Sequence, residues 1–188
     1  SDDSVDAILA TIGGFNCNEL LPYLDFELIA RNPKIFCGYS DTTTLLSAIY
    51  SKTGMKTYMG PSYSSFKMDA LQDYQTESWL KAVSQTSYEL TPSEKWGDNA
   101  WYLPDAPLTF HETEWKVYHH GQAQATAIGG NLSTFSLLRG TPYAPTDENY
   151  VLFVEEAEED DYVEFDRNLA ALLQAYPNPQ ALLIGRFP

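Results

Sequence analysis

The chain has 188 residues and a formal charge of -15, from 26 acidic and 11 basic side chains. Such a surface repels phosphate backbones, which argues against nucleic-acid binding through a broad basic face but leaves room for one small anionic ligand at a helix N-terminus. With 44% hydrophobic residues there is ample material for a core; no run approaches the roughly eighteen apolar residues of a membrane span, and the opening Ser1-Asp2-Asp3-Ser4-Val5-Asp6 shows no signal peptide.

Ala7 to Ile12 is a short apolar run closed by Gly13-Gly14, the pattern of a parallel strand buried on both faces and ending in a tight turn. Asn16 to Ala30 carries Leu20, Leu21, Leu24, Leu28 and Ile29 at helical spacings around Pro22, which predicts one or two short helices. Lys34 to Tyr39 is a second strand. Ser40-Asp41-Thr42 follows, and Leu45, Leu46, Ala48 and Ile49 mark a helix that ends near Gly54, capped by Ser40 or Asp41. Thr57 to Pro61 reads as a third strand. This alternation predicts an α/β layer with a parallel sheet.

Residues 91–110 hold Pro92, Gly97, Pro104 and Pro107 among Trp96, Trp101 and Tyr102, the composition of a long loop. Glu114 to Ile128 alternates well enough for a strand, or a hairpin bending at Gly121. Gly129-Gly130-Asn131 then turns into a helix over Leu132 to Leu138. Tyr150 to Val154 is a buried strand with Glu155-Glu156 at its exit, Tyr162 to Tyr176 a helix, and Ala181 to Gly185 a last strand. The fold class is therefore α/β, a parallel-sheet N-terminal layer (1–88), a Trp-bearing linker loop (89–112) and a second, mixed C-terminal domain (113–188). Both ends look cut, since strands lie within a few residues of Ser1 and Pro188.

Gly38-Tyr39-Ser40-Asp41 is the first constellation able to carry chemistry. A serine at a sharp strand-to-helix turn lifts its hydroxyl above the sheet, where the following amides and the helix dipole can hold an oxyanion. Thr42 stands where the Gly-x-Ser-x-Gly elbow has its second glycine, and a plain helix N-cap remains the alternative. Gly13-Gly14 could turn a second amide toward the same point or simply form a tight turn.

Glu155 and Glu156 leave a strand where α/β folds place functional side chains, and only one of the two neighbours can face a site. The eight carboxylates between Glu155 and Asp166 otherwise read as a solvated loop and a helix first turn. His111, His119 and His120 show no zinc spacing, and nothing in their positions selects one as a base for Ser40. Trp96 and Trp101 either fold back on the core or form a stacking clamp for a flat ligand group. Cys17 and Cys37 are too few for a disulfide framework, and the apolar surroundings of Cys37 point to a buried thiol and a reducing cytoplasm.

Several stretches, in order, resemble the LD-carboxypeptidase and microcin-immunity (MccF-like) serine peptidase family. They are Ala10-Thr11-Ile12-Gly13-Gly14, Leu20 to Asp25, Asn32 to Thr43 with Gly38-Tyr39-Ser40-Asp41 inside it, Gly129-Gly130-Asn131-Leu132-Ser133, Gly140-Thr141-Pro142, and Leu152 to Glu156 with Asp166-Arg167 following. The resemblance implies a two-domain peptidase with a Ser-Glu-His triad. Ser40 would be its nucleophile, the Gly14 and Asp41 amides its oxyanion hole, and Glu155 its triad acid, with Glu156 as fallback. Asn131 and Arg167 would lie near the substrate groove, and Trp96 and Trp101 would stack on a nucleotide, as in the microcin-immunity branch. The implied substrate is a small peptide or peptidyl-nucleotide, with no metal or organic cofactor, no nucleic acid and no membrane, in a cytoplasmic homodimer. The family's catalytic histidine sits in a Gly-His motif beyond the last strand here, and its first strand and helix precede Ser1. The resemblance therefore implies an excerpt that is inactive alone, because a serine without its base stays protonated.

Overall fold

The computed structural model describes residues 2–97, 103, 105, 107–157 and 162–186. Its first layer is a parallel sheet of β1 (Ala7–Leu9), β2 (Ile35–Gly38) and β3 (Tyr58–Met59) in that order, with Leu9 opposite Cys37 and Gly38 opposite Met59. Between β1 and β2 run two short helices, α1 (Cys17–Leu20) and α2 (Phe26–Arg31). Asp25 starts α2 by accepting from Leu28 N–H at 2.8 Å, which satisfies one of the helix's unpaired amides.

The crossover from β2 to β3 is α3 (Thr43–Thr53), ended by Gly54 at φ 70°, whose N–H donates to the Tyr50 carbonyl at 2.8 Å. Beyond β3 lies α4 (Gln72–Ser84), which buries none of its residues fully. A two-stranded antiparallel ribbon, β4 (Lys95–Trp96) with β5 (His111–Glu112), ties the ends of the Trp-bearing segment together.

The second layer comprises β6 (Thr126–Asn131), α5 (Leu132–Ser136), β7 (Tyr150–Glu155), α6 (Tyr162–Ala175) and β8 (Ala181–Ile184). Its three strands run β6-β7-β8, all parallel, alternating with helices as a mixed α/β layer. The strand or hairpin expected across 114–128 is confined to its end. Residues 114–124 are exposed and carry no regular structure, with Trp115, Val117 and Tyr118 at 66%, 58% and 91% exposure. Alternation makes a strand only where a partner strand supplies the hydrogen bonds.

One apolar cluster runs through the molecule. Ile128, Leu132, Phe135, Leu138, Leu152, Val154, Phe165 and Leu172 from the second layer enclose Leu21 and Ala48 from the first, with Leu24 and Leu45 packed at its edge. Phe165, Leu169 and Leu172 recur at helical spacing and form the inward stripe of α6, continued by Tyr176 just past its end. α3 touches β2 and β3 as well as β6 and α5, which makes it the wall shared by both sheets. That shared wall carries Ser40 at its entrance. Among the described residues no helix is long and apolar enough to cross a membrane.

Candidate active site

Ser40 opens a single tight turn, Ser40–Thr42, between β2 and α3. The first amide of that turn with a backbone acceptor is Thr42 N–H, which donates to the Tyr39 carbonyl at 3.1 Å, so the Ser40 and Asp41 amides precede the helical ladder. Ser40 itself has φ 56°, a left-handed conformation that costs an L-residue roughly 1–2 kcal/mol. Strain of this kind, at the C-terminal end of a parallel strand, fits a projected nucleophile better than a cap. The expected capping of α3 by Ser40 or Asp41 is not seen: its N-cap residue is Thr42, which makes no side-chain cap bond. Asp41 is committed elsewhere, its Oδ2 accepting from Cys17 N–H at 3.0 Å.

Close packing explains the glycines. A Cβ on Gly38 would come within 2.8 Å of Thr42 Cγ2 and 2.9 Å of Ala10 Cβ, so only glycine lets the turn close over β1. The loop after β1 is anchored by Tyr63 N–H to the Ala10 carbonyl (2.8 Å) and Ser64 N–H to the Thr11 carbonyl (3.0 Å). This lays Gly13 against Ser40 and Gly14 against Asp41; a Cβ on either glycine would sit 2.9 Å from Ser40 Oγ or Asp41 Oδ2 respectively. Cys17 shares the corner, and burial, followed by its hydrogen bond to Asp41, pushes its thiol up to about 12.

On the other side, Glu155 ends β7 directly opposite Asn131 of β6. The neighbouring carboxylates have divergent environments. Glu156 is buried: its Oε1 accepts from Asn131 Nδ2 (2.9 Å), Ser133 Oγ (3.1 Å) and Ala157 N–H (3.2 Å), and its Oε2 from Ser133 N–H (3.0 Å). Glu155 Oε1 is shielded from solvent and has no hydrogen-bond partner among the described residues. Burial, and then the charge of Glu156, hold the Glu155 carboxyl above its ordinary value.

Asn131 joins the two halves. Its Oδ1 caps α5 by accepting from Thr134 N–H at 3.1 Å, and its own N–H donates to Thr43 Oγ1, also at 3.1 Å, three residues after Ser40. At 3% exposure, Asn131 is a buried hub. Trp96 stacks on the chain's own side chains: the Arg186 guanidinium lies 3.7 Å from its ring centre and the His111 ring 4.7 Å. Arg186 follows Gly185, where a Cβ would lie 2.8 Å from Glu155 Cβ. Trp101 and the acidic residues 158–161 lie outside the described residues. Arg167 is not brought to the site; its guanidinium lies on the exposed face of α6, 3.4 Å from Glu164. His111, His119 and His120 are exposed, and none hydrogen-bonds to Ser40 or Glu155. Among the described residues no group of three His, Cys, Asp or Glu side chains could hold a metal ion.

Thr43 and Arg186 escaped the sequence reading as partners of the site. Arg186 could have been singled out, because it follows a parallel strand at the sheet's C-terminal edge. Nothing local distinguishes Thr43 from Thr42 or Thr44.

The LD-carboxypeptidase N-terminal domain matches residues 1–60, and the LD-carboxypeptidase C-terminal domain matches residues 124–188. The chain belongs to the LD-carboxypeptidase family. It is 46% identical over 190 residues to YocD of Bacillus subtilis (strain 168), covering 99% of this chain and 58% of YocD. To the microcin C7 self-immunity protein MccF of Escherichia coli it is 37% identical over 163 residues, 81% of this chain and 47% of MccF. The MccF-like protein of Bacillus anthracis superposes with a TM-score of 0.94 at 43% identity, over 99% of this chain and 59% of that one. This LD-carboxypeptidase-family chain thus spans between 47% and 59% of the length of these relatives. Solved structures of MccF, similar at TM-scores of 0.90 and 0.89, hold glutamyl sulfamoyl guanosine and aspartyl sulfamoyl adenosine.

Proposed function

We propose that this chain carries the nucleophile and the acid of a Ser-Glu-His peptidase that hydrolyses an amide bond near the C-terminal end of a peptide. The observation that carries the reading is the pairing of two unusual side chains. Ser40 is held at positive φ against Gly13, and Glu155, at the end of β7, presents a shielded carboxylate oxygen that has no partner among the described residues. An unsatisfied buried carboxylate is costly, and an imidazole N–H is the partner that would relieve it.

In the reaction, Ser40 Oγ attacks the scissile carbonyl while an imidazole, supplied by the full-length protein from outside these 188 residues, takes its proton. The Gly14 and Asp41 amides receive the developing oxyanion; one such donor is commonly worth about 10²–10³ in rate. The imidazolium, steadied by Glu155, returns the proton to the leaving amine, and water then hydrolyses the acyl-Ser40 ester. Of the two carboxylates, Glu155 takes this role because Glu156 is saturated by Asn131, Ser133 and Ala157.

For the substrate we favour an aminoacyl- or peptidyl-nucleotide of the microcin C kind, cleaved by a cytoplasmic homodimer. The likeness to MccF, whose solved structures hold aminoacyl sulfamoyl nucleosides, supports that choice. The second reading is a muropeptide carboxypeptidase, since the murein tetrapeptide carboxypeptidase of Pseudomonas aeruginosa is also a relative, at 27% identity. The test offers the full-length protein an aminoacyl sulfamoyl adenosine and a murein tetrapeptide in parallel. Release of the amino acid from the nucleotide, lost in Ser40→Ala, is the expected result. Cleavage of the tetrapeptide alone would assign the protein to the second reading, and full activity of Ser40→Ala would overturn the nucleophile.

A further inference from the structure

We propose that Thr43 is a positioning residue that locks the Ser40 turn in register with the strand pair holding Glu155; this rests on the peptidase reading above. Thr43 is 1% exposed, and its Oγ1 accepts the Asn131 N–H at 3.1 Å across 88 residues of sequence. The approach is tight on both sides. Gly130 has φ 131°, and a Cβ there would lie 2.7 Å from Thr43 Cγ2 and 2.8 Å from Thr43 Oγ1, so β6 is cut back to receive this one side chain.

From that contact the connections to the two reactive groups are short. Toward the nucleophile, Thr43 follows the Ser40–Thr42 turn directly, and Thr44 Oγ1 donates to the Asp41 carbonyl at 3.0 Å. Toward the acid, Asn131 is the register partner of Glu155 and donates through Nδ2 to Glu156. Nucleophile and acid arrive on different sheets and are joined by a side-chain acceptor for a main-chain donor. The donor lies at the end of β6, where the sheet ladder gives way to α5 and a further acceptor is required. A displacement of about 1 Å between such groups is enough to cost a large factor in rate.

The experiment compares Thr43→Val, Thr43→Ser and Thr43→Ala in the natural full-length protein. It reads the rate of Ser40 labelling by a fluorophosphonate, kcat and KM on aminoacyl sulfamoyl adenosine, and the thermal midpoint. Valine keeps the shape and removes the acceptor; serine keeps the acceptor and removes the methyl. The expected result is that Thr43→Val labels about tenfold or more slowly with a matching fall in kcat and little change in KM, while Thr43→Ser stays within about threefold of the parent. Wild-type labelling by Thr43→Val overturns the proposal, as does an equal loss in Thr43→Ser, which would assign the effect to packing. Should Thr43→Val fail to fold, Thr43→Ala decides, since the smaller side chain leaves room for water at the Asn131 N–H; parental labelling there also overturns the proposal. Ser40→Ala separates the two levels. If it is still labelled, the nucleophile reading falls and this inference with it; if it is not, an unaffected Thr43→Val sinks only the inference.

Discussion

Gly13 and Ser40 occupy each other's space: a Cβ on residue 13 would stand 2.9 Å from Ser40 Oγ and 3.0 Å from Ser40 Cβ. The hydroxyl can point over the β1 loop only because that residue is glycine. Gly13→Ala should therefore turn the Ser40 side chain away without disturbing the core. We expect kcat/KM of the full-length protein to fall about tenfold or more, with the thermal midpoint kept within about 3 °C. Parental activity in the Gly13→Ala variant would show that the hydroxyl does not need this approach.

The positive φ of Ser40 makes a second, opposite prediction for stability. Glycine adopts that conformation freely, at the cost of extra freedom in the unfolded chain. Ser40→Gly should abolish fluorophosphonate labelling and raise the unfolding free energy by about 0.5–1 kcal/mol. Denaturant titration reads the difference, and a loss of stability would mean that the turn stores no strain.

Glu155 sets a pH dependence. Its carboxyl titrates above the ordinary value, so at intermediate pH the folded chain of residues 1–188 binds more protons there than the unfolded chain. Its contribution is most favourable below the unfolded carboxylate value and declines as pH rises through the folded one. Glu155→Gln removes the charge that causes the decline. In this chain the variant should be more stable than the parent near neutral pH, with the gain vanishing as pH falls below the ordinary carboxylate range. Thermal melts across that window provide the check, and a pH-independent difference would contradict the assignment.

Cys17 reports on Asp41. With its thiol pushed up to about 12, Cys17 should resist iodoacetamide at about pH 9 although it is only partly buried. Burial remains in Asp41→Asn, but the carboxylate charge is lost, and the thiol should alkylate severalfold faster. Peptide mass mapping measures it. Equal rates in the two proteins would leave burial as the whole cause.

Much of the fold was legible because it depends on local pattern. Apolar runs stopped by glycine gave β1, β2 and β8, and the 3.6-residue stripe gave α3 and α6. α4 went unassigned because Tyr74, Trp79, Leu80 and Val83 leave no buried face to read; Trp79 is held instead by an edge contact with Phe66 at 5.8 Å. The segment 114–124 has the opposite history, a strand-like alternation with no neighbour to pair with.

The order of the elements and the chemistry of Gly38-Tyr39-Ser40-Asp41 and Glu155-Glu156 follow from the sequence alone, since each depends on neighbours in the chain. Which carboxylate is saturated and which is left with an open oxygen depended on Asn131 and Ser133, more than twenty residues away. The mating of Thr43 with Asn131, and of Gly13 with Ser40, arose the same way, from strands brought together across the fold. Hydrogen bonds and excluded volume act between atoms in space, and a linear pattern carries no record of which distant atoms will meet.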